Sequence, residues 1–263
     1  MIQILLQIIK WIFIAGLGTL VIFLVGTAIL FIINKPSNNR NWELGQEKMA
    51  RFYFNQDEPG KVKIKNVRDF QWKEPVAKQW IEREVDVDEI TGLDVGVAHF
   101  SPKQSLGHVF LIFNFKNDKP LGISVESRRS KDETFSVGGG FFFHYEILYI
   151  AATKDDLLGL RRKNKEPVYL YHINTDSDKI KKLFLVLAKK ENQLYEHSQF
   201  YHPIFNNCSN SIIRALWGIS DKKFPLIRGS LFPGYADEML FDMGLIGDGK
   251  SDFTTIKQKA LVR

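Results

Sequence analysis

The sequence predicts an α+β domain built on a largely antiparallel sheet and tied to a membrane by one transmembrane helix. Three observations predict it. A run of 23 residues, Trp11 to Ile33, carries no charge. Period-two alternation and a hairpin signature fill the middle of the chain. Amphipathic helical stripes close it.

At 1.5 Å of rise per residue, the uncharged run is long enough to cross a hydrocarbon core of about 30 Å. It exceeds the apolar region of a signal peptide, and "NKPSNN" offers no small-x-small cleavage site, so it reads as an uncleaved anchor. Residues 1–33 form that anchor, and 34–60 read as a polar linker opened by Pro36, which ends the helix. In the expected domain, residues 61–247, "KVKIKNV" alternates as a strand. Val85, Val87, Val95 and Val97 continue the period-two pattern. "GHVFLIFNFKNDKPLGISVESRR" reads as a hairpin, with strands His108 to Phe115 and Leu121 to Arg128 around "KNDKP". "FFFHYEILYIAA" reads as a third strand, after a glycine triplet. Thr153 and Asp156 form a capping pattern for a short helix. "EPVYLYHI" is another strand. From Asp176, Ile180, Leu183, Phe184, Leu187 and Ala188 share one helical stripe. "CSNSIIRALWG" and "YADEMLFDMG" are helices closed by Gly218 and Gly244. Residues 248–263 read as a tail.

The chain has 263 residues, 44% hydrophobic and 25% charged, which fits a globular domain with one sizeable core. The net charge of +6 and a pI near 9.2 suit a domain beside anionic lipid, and equally a solvated basic surface. Basic and aromatic residues are not interleaved as a nucleic-acid groove requires, so no nucleic-acid partner is expected. Lys10 on one side of the anchor and Lys35 and Arg40 on the other leave its orientation undecided by charge. The single cysteine excludes an internal disulfide.

That cysteine, Cys208, lies in "FNNCSNSII". A lone cysteine commonly packs as a small hydrophobe. Here, however, the apolar stripe begins four residues later at Ile212 and Ile213, and Asn206 and Asn207 are cap-type residues. Cys208 therefore falls in the first helical turn, where backbone N–H groups and the macrodipole stabilise a thiolate and can receive an oxyanion. A thiolate nucleophile needs a base with an orienting partner. Of the six histidines, His108 fits best, because it lies on a strand whose neighbour carries Ser124, Glu126 and Arg128 on one face. A turn centred on Asp118 places His108 opposite Arg128 and diagonal to Glu126. His144 on the third strand stays a possible alternative. Asn206, Asn207, Arg128, His144 and Tyr145 are the candidate oxyanion or substrate residues. No metal or cofactor is called for.

A cysteine at a helix start with a histidine on an antiparallel sheet resembles papain-like folds. The order His before Cys resembles the permuted branch of the NlpC/P60-like proteins, whose lecithin:retinol-type acyltransferases share an "NC" helix start. More specifically, "VRDFQW", "GHVFLIFNF", "ISVESRR", "FHYEILYIAA", "VYLYHI", "FNNCSNSIIR" and "LFPGYADEMLFDMGLI", in that order over residues 60–247, resemble the DUF4105 family. That family is the N-terminal periplasmic domain of the Bacteroides-type lipoprotein N-acyltransferase. The resemblance implies a catalytic Cys208 and His108, membrane phospholipid as acyl donor and a lipoprotein amine as acceptor. It also implies an inner-membrane anchor with the domain in the periplasm. Glu126 would orient His108, and Phe141 to Phe143 would either line an acyl path or belong to a core strand. Two other readings stay open at this level: a cell-envelope cysteine peptidase or amidase, and a non-catalytic tethered binding module.

Overall fold

The computed structural model describes residues 2–100, 105–217, 219, 223–225, 229 and 231–262. Helix α1 (Ile2–Ile33) contains the uncharged run, and none of its residues is buried. It is the one helix among the described residues long and apolar enough to cross a membrane.

Strands follow in the order β1 (Arg51–Phe54), β2 (Lys61–Arg68), β3 (Trp80–Asp86), β4 (Ile90–His99), β5 (Gly107–Phe115), β6 (Leu121–Arg128), β7 (Glu146–Thr153) and β8 (Val168–His172). They form one sheet ordered β1-β2-β7-β6-β5-β4-β8, with β3 paired to β2. Every pairing is antiparallel except the short parallel contact of β2 with β7. The α+β expectation therefore describes the fold.

The helices divide between the two faces. Helix α3 (Lys154–Lys163) covers one, where Leu157 packs so closely over Gly122 that a Cβ there would lie 2.3 Å from its Cδ1. Helices α4 (Ser177–Glu196), α5 (Cys208–Trp217) and α6 (Ala236–Asp242) cover the other. On α4 the expected stripe of Ile180, Leu183, Phe184, Leu187 and Ala188 is buried. On α5 Ile212 and Ile213 are buried as expected, but Trp217 is exposed. Gly218, the expected stop of α5, lies outside the described residues.

Three expectations need correction. The apolar run at 141–145 is not strand. Ser136 caps a short helix, α2 (Val137–Phe141), by accepting from the N–H of Gly139, and β7 begins only at Glu146. Residues 34–60 are not a free linker. Trp42, Met49, Ala50 and Phe52 are buried, and β1 joins the sheet. Arg40 meets the buried Glu146 at 2.8 Å, and Ser37 N–H donates to the same carboxylate at 2.9 Å. Residues 248–263 are not a loose tail either. Helix α7 (Phe253–Ala260) packs on β8, Lys257 pairs with the buried Asp237 at 3.0 Å, and the N–H of Val262 donates to the carbonyl of Val168.

Candidate active site

The start of α5 is fixed by its own sequence. Asn207 Oδ1 accepts from the N–H of Asn210 at 2.8 Å, and Asn210 Oδ1 accepts from the N–H of Asn207 at 2.9 Å. This reciprocal capping box sets Cys208 at the first helical position. Asn207 Nδ2 donates to the carbonyl of Pro203 at 2.6 Å, and Asn210 Nδ2 to that of Ile204. The preceding loop is thus tied to the helix it launches, and Cys208 is 5% exposed.

His108 is the second residue of β5. Its neighbour β6 pairs Phe113 with Leu121 and Phe110 with Ser124. Continued by two residues, that register sets His108 across from Glu126, not diagonal to it. The expected register is off by two residues. Because side chains alternate with a period of two, the shared face survives the shift. His108 Nε2 lies 2.7 Å from Ser124 Oγ and 3.1 Å from Glu126 Oε1. Ser124 O–H donates to the same Oε1 at 2.7 Å, and Arg161 Nη2 of α3 donates to it at 2.9 Å. Arg161 also reaches Glu166 at 3.2 Å. With Nε2 engaged on this side, Nδ1 is the nitrogen left for the hydrogen bond between His108 and the Cys208 thiol. The ring of Phe110 stacks against the imidazole at 6.3 Å. Gly96 on β4 leaves room for that ring, since a Cβ there would lie 2.2 Å from it.

The electrostatics follow from this geometry. Burial is the largest influence and disfavours the imidazolium, as does Arg161, but the Glu126 carboxylate and the hydrogen bond and charge of Cys208 together outweigh them. His108 is pushed up to about 9. Burial equally disfavours the thiolate and the Glu126 charge repels it. The hydrogen bond and charge of His108, together with the Val109 N–H, nevertheless bring the Cys208 thiol below its ordinary value. Loss of solvent around the half-buried Glu126 pushes its carboxyl up, but His108, Arg161 and Ser124 hold it well below the usual range. The three groups therefore sit in line, with His108 favouring the thiolate of Cys208 on one side and Glu126 favouring the imidazolium on the other.

The constellation opens into a cleft of about 440 Å³, walled in part by Phe100, Phe135, Tyr201, Arg129 and Pro233. Gly107 lets the short turn at Pro233–Tyr235 close over the start of β5, where a Cβ would lie 3.0 Å from Gly234 Cα.

Of the predicted residues, the fold brings Cys208, His108 and Glu126 together and directs the others elsewhere. Asn206 donates to the carbonyl of Phe200 and accepts from Arg214 and Ser211. Arg128 is buried, donates to the carbonyls of Gln46 and Glu47 and lies 4.1 Å over the ring of Trp42, clamping the N-terminal segment. The hydroxyl of Tyr145 accepts from Ser136 N–H and donates to the carbonyl of Thr134. His144 is exposed beyond α2. Sequence reading missed Arg161 and Tyr201 and gave Ser124 no role. Burial first, then the charges of Cys208 and Glu126, keep the Tyr201 phenol protonated in the cleft that Cys208 also lines.

A profile of the Lnb N-terminal periplasmic domain matches residues 77–233, more than half of the chain and the stretch that holds all three groups. No curated protein and no solved structure matches the chain.

Proposed function

Because the chain belongs to the Lnb N-terminal periplasmic domain family, we propose that it is a cysteine acyltransferase, anchored in the inner membrane, that acylates the amino group of lipoproteins. The family and the N-terminal apolar helix fit a single-pass membrane protein with a periplasmic domain. The observation that carries the chemistry is the line Cys208, His108, Glu126, with the sulfur at the first position of a helix.

The thiolate of Cys208 attacks an ester carbonyl of a membrane phospholipid. The carbonyl oxygen becomes an oxyanion, which the Cys208 backbone N–H and the Tyr201 hydroxyl receive. The ester C–O bond breaks and His108 gives its proton to the departing lysolipid oxygen. An acyl thioester remains on Cys208. A lipoprotein amine then attacks it, His108 takes the proton released by nitrogen, and the amide forms as the thiolate leaves. Glu126 holds the imidazole and stabilises its positive charge throughout.

The test is intact-mass measurement after incubation with phospholipid vesicles. An added acyl chain on Cys208, released by hydroxylamine and missing in Cys208→Ser, is expected. Cys208→Ser should stay folded, because the volume change at a helix start is small. Release of peptide fragments from cell-wall material with no acyl adduct would replace this reading with a hydrolase.

A further inference from the structure

Two segments that carry no Lys, Arg, Asp or Glu, residues 134–145 and 198–213, meet beside the anchor. The ring of Phe142 lies 6.1 Å from that of Phe23, and Phe31 lies 5.2 Å from Phe143 and 6.3 Å from Phe200. Between α1 and these segments runs an open groove of about 670 Å³, walled among others by Leu24, Phe141, Ile204 and Phe205. The surrounding surface is apolar and uncovered: Val137 is 46% exposed, Phe142 38%, Ile204 41% and Phe205 67%. The two segments are locked to each other, since a Cβ on Gly140 of α2 would lie 2.9 Å from the ring of Pro203.

The anchor fixes the depth of this surface. A hydrocarbon core of about 30 Å takes about 20 helical residues. Every such window drawn from Trp11–Ile33 contains Phe23, at roughly 10 Å or more inside its C-terminal boundary. A side chain in ring contact with Phe23 shares that depth. Lipid is the neighbour of α1 at this level, and the exposed rings are continuous with it.

We propose that the Phe141–Phe143 turn, with Ile204 and Phe205, is a lipid-inserted foot that seats the domain in the leaflet beside its own anchor. The groove between foot and anchor is then filled by lipid acyl chains. Apolar burial of this kind, to several ångströms below the headgroups, is what interfacial segments achieve with aromatic and aliphatic side chains. The foot also has a place in the architecture of the cleft. Phe200 and His202 wall the lipid groove, whereas Tyr201 between them walls the catalytic cleft. One thickness of backbone separates the two.

The test uses the full chain in lipid bilayers and does not depend on the chemistry assigned to Cys208. In a Cys208→Ser background, Phe142→Cys, Phe205→Cys and, as a control on an exposed strand position, Lys65→Cys each carry an environment-sensitive fluorophore. Labels at 142 and 205 should be blue-shifted and strongly quenched by phospholipid bearing a spin label on its acyl chain. The label at 65 should be neither. Labels at 142 and 205 as hydrated as the one at 65 would overturn the proposal. So would labels shielded from water yet untouched by the lipid quencher, with chains cross-linking through these positions, which would assign the surface to a second copy.

Discussion

Replacing Glu126 by Gln tests the electrostatic core of the site with almost no change of shape. The carboxylate, together with Cys208, raises His108 from an ordinary 6.5 to about 9 against both burial and Arg161. That difference corresponds to about 3 kcal/mol of preference for the imidazolium. The amide keeps an acceptor for Ser124 and Arg161 but removes the charge. Burial and Arg161 remain and both disfavour the imidazolium, so the imidazole should become neutral at pH 7. Without its cation, the Cys208 thiolate loses the hydrogen bond and charge that lower it, and burial takes the thiol upward. Cys208 is the chain's single cysteine, so the rate of its alkylation by iodoacetamide, followed by mass against pH, reports the thiolate directly. In the native protein the rate should persist down through neutral pH. In Glu126→Gln it should rise only at alkaline pH. At pH 7 a loss of 3 kcal/mol corresponds to about two orders of magnitude. Adding His108→Ala should change little further, because members of one unit are not additive. An unchanged pH profile in Glu126→Gln would refute the reasoning and leave Glu126 a structural residue.

Asn207→Ala removes one half of the capping box and should lower stability by about 1 kcal/mol, read from the denaturant midpoint. It should also slow Cys208 alkylation at neutral pH as the first turn frays. A domain that begins at residue 34 should be folded, since α1 has no buried residue. One that begins at residue 42 strips Ser37 and Arg40 from the buried Glu146, and its thermal midpoint should fall, for a cost of about 1–3 kcal/mol. Glu191 is 1% exposed and burial raises its carboxyl well above the ordinary 4.5, despite a hydrogen bond from the Tyr149 N–H. The folded state therefore binds more protons than the unfolded one above pH 4.5, and stability falls as pH rises toward the folded value. Glu191→Gln should flatten that fall across the pH series of melting temperatures. An unchanged fall would mean that the carboxylate is better solvated than its burial implies.

The parts of this fold that were legible are those decided locally. Alternation and turn residues place the hairpin strands, and the asparagines before Cys208 announce a helix start that the structure builds with a capping box. Register was not local. Asn114 and Phe115 pair only with β4, and Pro120 lacks an N–H for pairing, so β6 starts opposite Phe113 and the hairpin closes two residues short of the symmetric turn. The run Phe141 to Tyr145 reads as strand because its residues are apolar. Its apolarity answers to the anchor beside it, which no local pattern reveals. Residues 34–60 look like a linker because they are polar, yet Arg128 and Glu146, about a hundred residues later, hold them down. Arg161 reads as one of three basic residues ending a helix; its partner Glu126 is on another element.

Arg161 shows how so many charges stay buried near one sulfur. Glu126 lies between His108 and Arg161, and Arg161 lies in turn against Glu166, so each charge in the row has an opposite charge beside it. Opposite charges set side by side are the condition under which charged groups tolerate burial. Under the acyl-transfer reading, this balance also times the proton. A thioester on Cys208 has no charge, and His108 then loses both the hydrogen bond and the attraction of the thiolate, two of the contributions that hold it protonated. Burial and Arg161 remain to push it down. The histidine that enters the first step as an acid is thereby left after it as a neutral base, facing the carbonyl that an amine must attack. Arg161 holds Glu126 in place and at the same time repels the proton on His108, so the residue that steadies the orienter also helps the base to reset.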